Sequence, residues 1–228
     1  MSNSLFHLLH LSDPNLPIGG FSHSSGLETY VQNGMVKDEK SARIFIQQML
    51  QQSLFYNDAM YLSLAYQACE TNDFKSLENL DIHCNATKLA KETRVASQKL
   101  GLRLLKIFEK ICTGSLFQQY KNALASSSVF GHFCIAFAII SHDLKISLKD
   151  SLTGFYYNAA SGYVTNCVKL VPLGQQTGQS ILFDLIPIID GLVKASLQPD
   201  IQKLGLCSVG FDIRSMQHEN LYSRLYMS

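Results

Sequence analysis

The stretch SDPNLPIGGFSHSSGLETY at 12–30 sets Ser22, His23, Ser24 and Glu28 within one short span. These are the residue types of a nucleophile, its base and an orienting acid. Acyl transfer also needs the serine on a strained strand-to-helix turn of the GxSxG kind, beside an oxyanion hole. No such turn surrounds Ser22 or Ser24. Pro14, Pro17, Gly19 and Gly20 shape a tight connection instead, and Ser22, Ser24 or Ser25 is placed to cap the helix that carries Glu28 and Tyr30. A small helical hydrolase built on Ser22 or Ser24, His23 and Glu28 is the weaker alternative.

His7 and His10 lie three apart on a helical stretch, near enough to share a metal ion. A closed metal site takes three or four ligands, and no third stands near them in the sequence, so the pair reads as partly buried and amphipathic, with a helical metal sensor as the other, weaker alternative. His132 and His142 are ten apart, and His23, His83 and His218 stand alone, as core or surface histidines do. PLGQQTGQS at 172–180 has the glycines of a phosphate cradle. It lacks the lysine of GxxxxGK[ST], so the chain is not expected to hydrolyse nucleotide itself. Its plain reading is a helix connection, with Lys169, Gln175, Gln176 and Gln179 exposed on or beside it. In KETRVASQKLGLR at 91–103, Glu92 and Arg94 face differently on one helix and do not pair, while Gly101 marks a close helix crossing.

The elements that position these residues are helices. Apolar residues recur at helical spacing through Ile44, Met49, Leu50, Leu54, Tyr61, Leu64 and Ala65, and sustained strand alternation is missing. The spacing predicts an all-α fold of about ten helices in one domain spanning 1–228. They fall near 3–11, 24–33, 38–55, 58–70, 73–80, 86–111, 115–125, 128–140, 147–169, 175–196 and 212–226, and Pro187 kinks or divides the helix at 175–196. With 228 residues and 46% hydrophobic composition the chain can bury one core unaided. Lysine and arginine number 19 against 18 acids, with no charge block, which argues against nucleic acid or an anionic membrane as partner. The longest apolar run, FCIAFAII at 133–140, is too short to span a bilayer, and MSNSLFHLLH has no secretory pattern, so a cytoplasmic location is expected. Six scattered cysteines without a CxxC or CxH pair read as small buried hydrophobes.

Taken together, SDPNLPIGGFSHSSGLETY, ETRVASQKLGLR, NAASGYVTNCVKLVPLGQQTGQ and the ending MQHENLYSRLYMS resemble, in order and spacing, the urease accessory protein UreF family. The resemblance covers essentially the whole chain. It implies a non-enzymatic, homodimeric chaperone of urease maturation with no cofactor of its own. Such a protein bridges the accessory protein UreD or UreH and the GTPase UreG, and the assembled complex delivers nickel to apo-urease. It implies GTPase coupling at Glu28, Tyr30, Lys169 and Gln175. The tail at 211–228 is implied to dock on UreD/UreH through Arg214, His218, Glu219, Tyr222, Arg224 and Leu225. His23 departs from the tyrosine many relatives carry there. From the residues alone, the tail as a helix is apolar on two sides, one suited to its own core and the other to a partner.

Overall fold

The computed structural model describes residues 3–20, 24, 26–219 and 221. Among them there is no strand, and the helices are α1 (Ser4–Leu11), α2 (Leu27–Gln32), α3 (Glu39–Gln48), a π-helical segment (Met49–Ala59), α4 (Met60–Glu70), α5 (Phe74–Thr87), α6 (Lys91–Phe108), α7 (Ser115–Ala125), α8 (Phe133–Asp143), α9 (Leu148–Leu170), α10 (Gln175–Asp184), α11 (Ile186–Ser196) and α12 (Val209–His218). The all-α expectation is met. No helix among the described residues is long and apolar enough to cross a membrane.

Asp38 starts a long helical run. Its carboxylate accepts from the Ser41 backbone N–H at 2.8 Å, and the Ser41 hydroxyl oxygen accepts from the Asp38 N–H, which closes a capping box. α3, the π-helical segment and α4 then follow one another with right-handed helical backbone at both joins. The break expected between the helices at 38–55 and 58–70 is absent because the side chains of Asn57 and Asp58 both find partners off the helix. The Asn57 amide donates to the Leu206 carbonyl at 3.0 Å, and Asp58 accepts from the buried Lys88 ammonium at 2.9 Å. Engaged elsewhere, they no longer compete for their own backbone.

α8 lies at the centre, between α4 and α6. Every residue from Cys134 to Ser141 is buried, so the helix has no face for water. α6 crosses close to the start of α8 at Gly101, where an added Cβ would lie 2.1 Å from the Gly131 carbonyl oxygen. This is the close crossing the sequence predicts. Buried Asp81 ties down the loop before α8, accepting from the Tyr120 hydroxyl at 2.8 Å and from the Phe130 and His132 backbone N–H groups. The His132 ring is a satisfied core histidine, with Nδ1 3.1 Å from the Ser97 hydroxyl and Nε2 3.3 Å from the Asn85 amide oxygen. Burial pushes its pKa down to about 3, so the ring is neutral.

Three helix boundaries differ from the sequence reading by five residues or more. α5 runs on to Thr87 instead of stopping at 80, and α6 starts at Lys91 instead of 86. α8 starts at Phe133 instead of 128. In α5 the later turns bury Asp81 beside Cys84, and a polar residue at a core position hides the apolar period. α10 and α11 divide at Leu185, with Pro187 in the first turn of α11, as the proline predicts. Five of the cysteines are buried as expected, but Cys207, in the loop before α12, is exposed.

Candidate partner-docking site

α12 lies on α2 and α6. Phe211, Ser215 and His218, spaced i, i+4 and i+7, are buried. On the outward side Val209, Ile213 and Met216 are 59%, 48% and 42% exposed. The helix therefore covers its own domain with one face and leaves an apolar row on the other. Its seat depends on Gly26, which caps α2 at φ 74°, where glycine alone is unstrained. A Cβ there would lie 3.0 Å from the Ser215 hydroxyl and 3.6 Å from the Phe211 ring. The α2 cap is thus Gly26, where a serine cap is expected, and the helix begins at Leu27. The Thr29 hydroxyl donates to the Arg214 carbonyl at 3.1 Å, a second tie between α2 and α12.

The strongest polar feature is His218. Its ring is fully buried between two carboxylates, with Nε2 2.7 Å from Glu28 Oε2 and Nδ1 2.6 Å from Glu92 Oε2. A carboxylate oxygen only accepts, so with both ring nitrogens protonated the imidazolium donates to one acid on α2 and another on α6. His218 thereby clasps α12 to two separate helices. A buried ring does not itself face a partner, so in this arrangement His218 acts on the tail by holding its root. Glu28, in the serine-rich stretch, is engaged by His218. Ser22 and His23 lie outside the described residues.

Arg214 stands beside this clasp. Its guanidinium lies 4.9 Å over the Tyr30 ring, and its Nη1 donates to the Gly210 carbonyl at 2.9 Å. Nε and Nη2 rest on the Met35 sulfur at 3.3 Å. Burial raises the Tyr30 pKa against the lowering effect of Arg214. The residues assigned by resemblance to two different partners therefore meet in pairs, Glu28 with His218 and Tyr30 with Arg214. Lys169 and Gln175 lie elsewhere, exposed at the α9–α10 connection. There Gly178 packs on α9, where a Cβ would come within 2.7 Å of Val168, so this glycine serves helix packing. Glu219 is exposed just past α12, while Tyr222, Arg224 and Leu225 lie outside the described residues.

The remaining candidates have ordinary surroundings. His7 Nδ1 is 3.4 Å from the Leu144 carbonyl, and the His10 ring lies 5.3 Å from that of Phe108. Among the described residues no group of three His, Cys, Asp or Glu is arranged to hold a metal. Glu92 was singled out in the sequence without a role, and its pairing with a residue 126 positions away leaves no local pattern. Arg94 donates to the Lys88 carbonyl at 2.7 Å, so the two neighbours do face different ways.

Comparison with known proteins follows the same lines. The UreF family model matches residues 36–186. The chain is similar to the urease accessory protein UreF of Haemophilus influenzae (strain PittEE), at 49% identity over 221 residues, covering 97% of this chain and 94% of that one. It is 48% identical to that of Actinobacillus pleuropneumoniae serotype 5b (strain L20), with 97% of each covered. Against that of Bacillus sp. (strain TB-90) it is 34% identical over 99% of this chain and all of the relative.

Proposed function

The chain belongs to the UreF family of urease accessory proteins, and from that membership we propose that it is a non-catalytic assembly factor bridging UreD/UreH and the GTPase UreG during urease maturation. The observation that carries this reading is similarity at about half identity along 97% of the chain to a relative named urease accessory protein UreF. In this reading nickel is cargo of the assembled complex, delivered to apo-urease, and the protein works as a cytoplasmic homodimer.

The geometry adds a route for coupling. A partner on the tail pulls on α12, and α12 is tied through His218 to Glu28 on α2 and through Arg214 to Tyr30. Glu28 and Tyr30 are the positions read as GTPase-coupling, so occupation of one surface shifts contacts of the other through a buried clasp.

The test is the nickel content of urease purified from cells that carry the complete urease gene set but lack this chain. Urease protein should accumulate with nickel reduced at least about tenfold, and returning the chain should restore it. Equal nickel content with and without the chain would overturn the assignment.

A further inference from the structure

Over residues 93–142 the chain carries six basic residues and a single acid, Glu109. That stretch is net +5 in a chain whose total is +1, so the remainder is net −4. The fold concentrates the excess further. Lys99, Arg103 and Lys106 lie at i, i+4 and i+7 on the exposed side of α6, and Lys110 continues the line at i+11 in the turn past its end. The stripe is about 16 Å long at 1.5 Å per residue.

No acid of the chain answers these charges. None of the four cations pairs with a carboxylate among the described residues, and every Asp and Glu of the sequence is among those residues. Glu109 is held by Lys121 of α7 at 3.2 Å. Other exposed helices carry complementary neighbours, Glu39 with Arg43, Lys75 with Glu78 and Asp190 with Lys194. On α6 the i, i+4 neighbours are like charges, which weaken a helix, and no ion pair within the domain offsets that. Arg103 is also held in place. Its Nη1 donates to the Ile18 carbonyl at 3.0 Å, and its Nε/Nη2 edge, which can take a carboxylate by two parallel bonds, has no partner among the described residues.

Beside the stripe the surface turns apolar. Leu102, 45% exposed, lies against Gly131, where a Cβ would be 3.0 Å from its Cδ2, and the preceding residue, Phe130, is 41% exposed. A phosphate backbone or a lipid headgroup would answer the cations and leave Leu102 and Phe130 in water. A protein helix with acids at the same spacing and apolar residues alongside covers both.

We propose that the α6 stripe docks an amphipathic helical segment of another protein, with Asp or Glu at i, i+4 and i+7 facing Lys99, Arg103 and Lys106 and apolar side chains on Leu102 and Phe130. This surface uses neither the tail nor the α9–α10 connection, so it goes beyond the bridging reading, which the nickel content of urease decides separately.

The photo-crosslinker p-benzoylphenylalanine is placed at Leu102 of the full chain and irradiated in cells expressing the complete urease gene set, and crosslinked peptides are sequenced by mass spectrometry. The expected product is a segment of another protein with Asp or Glu at that spacing. A fluorescein-labelled synthetic peptide of the segment is then titrated with the purified full chain and followed by anisotropy. Lys99→Gln, Lys106→Gln and Lys110→Gln together should weaken binding at least about fivefold, with helical circular dichroism unchanged because all three side chains are exposed. Lys99→Glu with Lys106→Glu should abolish binding, and a peptide whose acids are exchanged for lysine should bind that variant instead. A crosslink to nucleic acid, to lipid, to a second copy of this chain or to a segment without acids overturns the proposal. So does the absence of any crosslink, or a smaller loss of affinity in the glutamine variant.

Discussion

Removing the His218 ring tests the clasp. In His218→Ala, Glu28 and Glu92 keep their positions but lose the group between them, and Glu28 is 4% exposed. Breaking a buried ion pair by removing one member costs about 3–5 kcal/mol. The Glu92 side chain retains 16% exposure, so water reaches one of the two acids and the loss belongs at the lower end, about 3 kcal/mol. The loss falls where His218 ties α12 to α2 and α6, so α12 should open locally while α4, α6 and α8 hold. Urea denaturation of the full chain gives the total, and hydrogen exchange of peptides covering 209–219 locates it. In His218→Ala combined with Glu28→Gln and Glu92→Gln neither carboxylate charge remains at the clasp, and at least half of the loss should return. A single variant within about 1 kcal/mol of wild type, with α12 protected as before, would refute the clasp, since surface changes alone produce effects of that size.

His132 predicts an acid limit. The folded ring is neutral with its pKa pushed down to about 3, while an unfolded histidine titrates near 6.5, so the unfolded chain takes up the proton first. Stability from this group is complete above about pH 6.5 and falls by about 1.4 kcal/mol per pH unit toward pH 3. Urea titrations at pH 7 and 5 should differ by about 2 kcal/mol in wild type and by clearly less in His132→Gln; equal differences would show that another group sets the limit. Gly101→Ala gains about 1 kcal/mol of helix propensity but drives a methyl into the Gly131 carbonyl, so a net loss of about 2 kcal/mol or more is expected by thermal unfolding, and a stabilised variant would contradict the crossing. The isolated chain should show no GTP turnover, because 172–180 lacks the phosphate-binding lysine. Turnover by rigorously pure protein that disappears in Lys169→Ala would contradict this.

Much of the helical order was legible because apolar residues at a period of 3.6 leave a local trace, and Gly101 and Pro187 announced a crossing and a division. Where the period is interrupted by buried polar residues, legibility stopped. Asp81 disguised the end of α5, and Asn57 and Asp58 looked like a break because their distant partners Leu206 and Lys88 are invisible in a local window. The site behaved likewise. Tail residues suited to contact were visible as types, and the resemblance pointed to Glu28, Tyr30, Arg214 and His218 separately. Their meeting, with Glu28 and His218 190 positions apart, is a product of the fold alone. Arg214 with no carboxylate partner among the described residues, and the burial of His218 inside its own domain, likewise needed three dimensions.

The bridging claim is tested most directly by capture on tagged UreD/UreH. Purified UreG should be retained on that resin only when this chain is also present, and in proportion to it. Retention of UreG at the same level without the chain, or failure of the chain itself to bind UreD/UreH, would contradict the bridge.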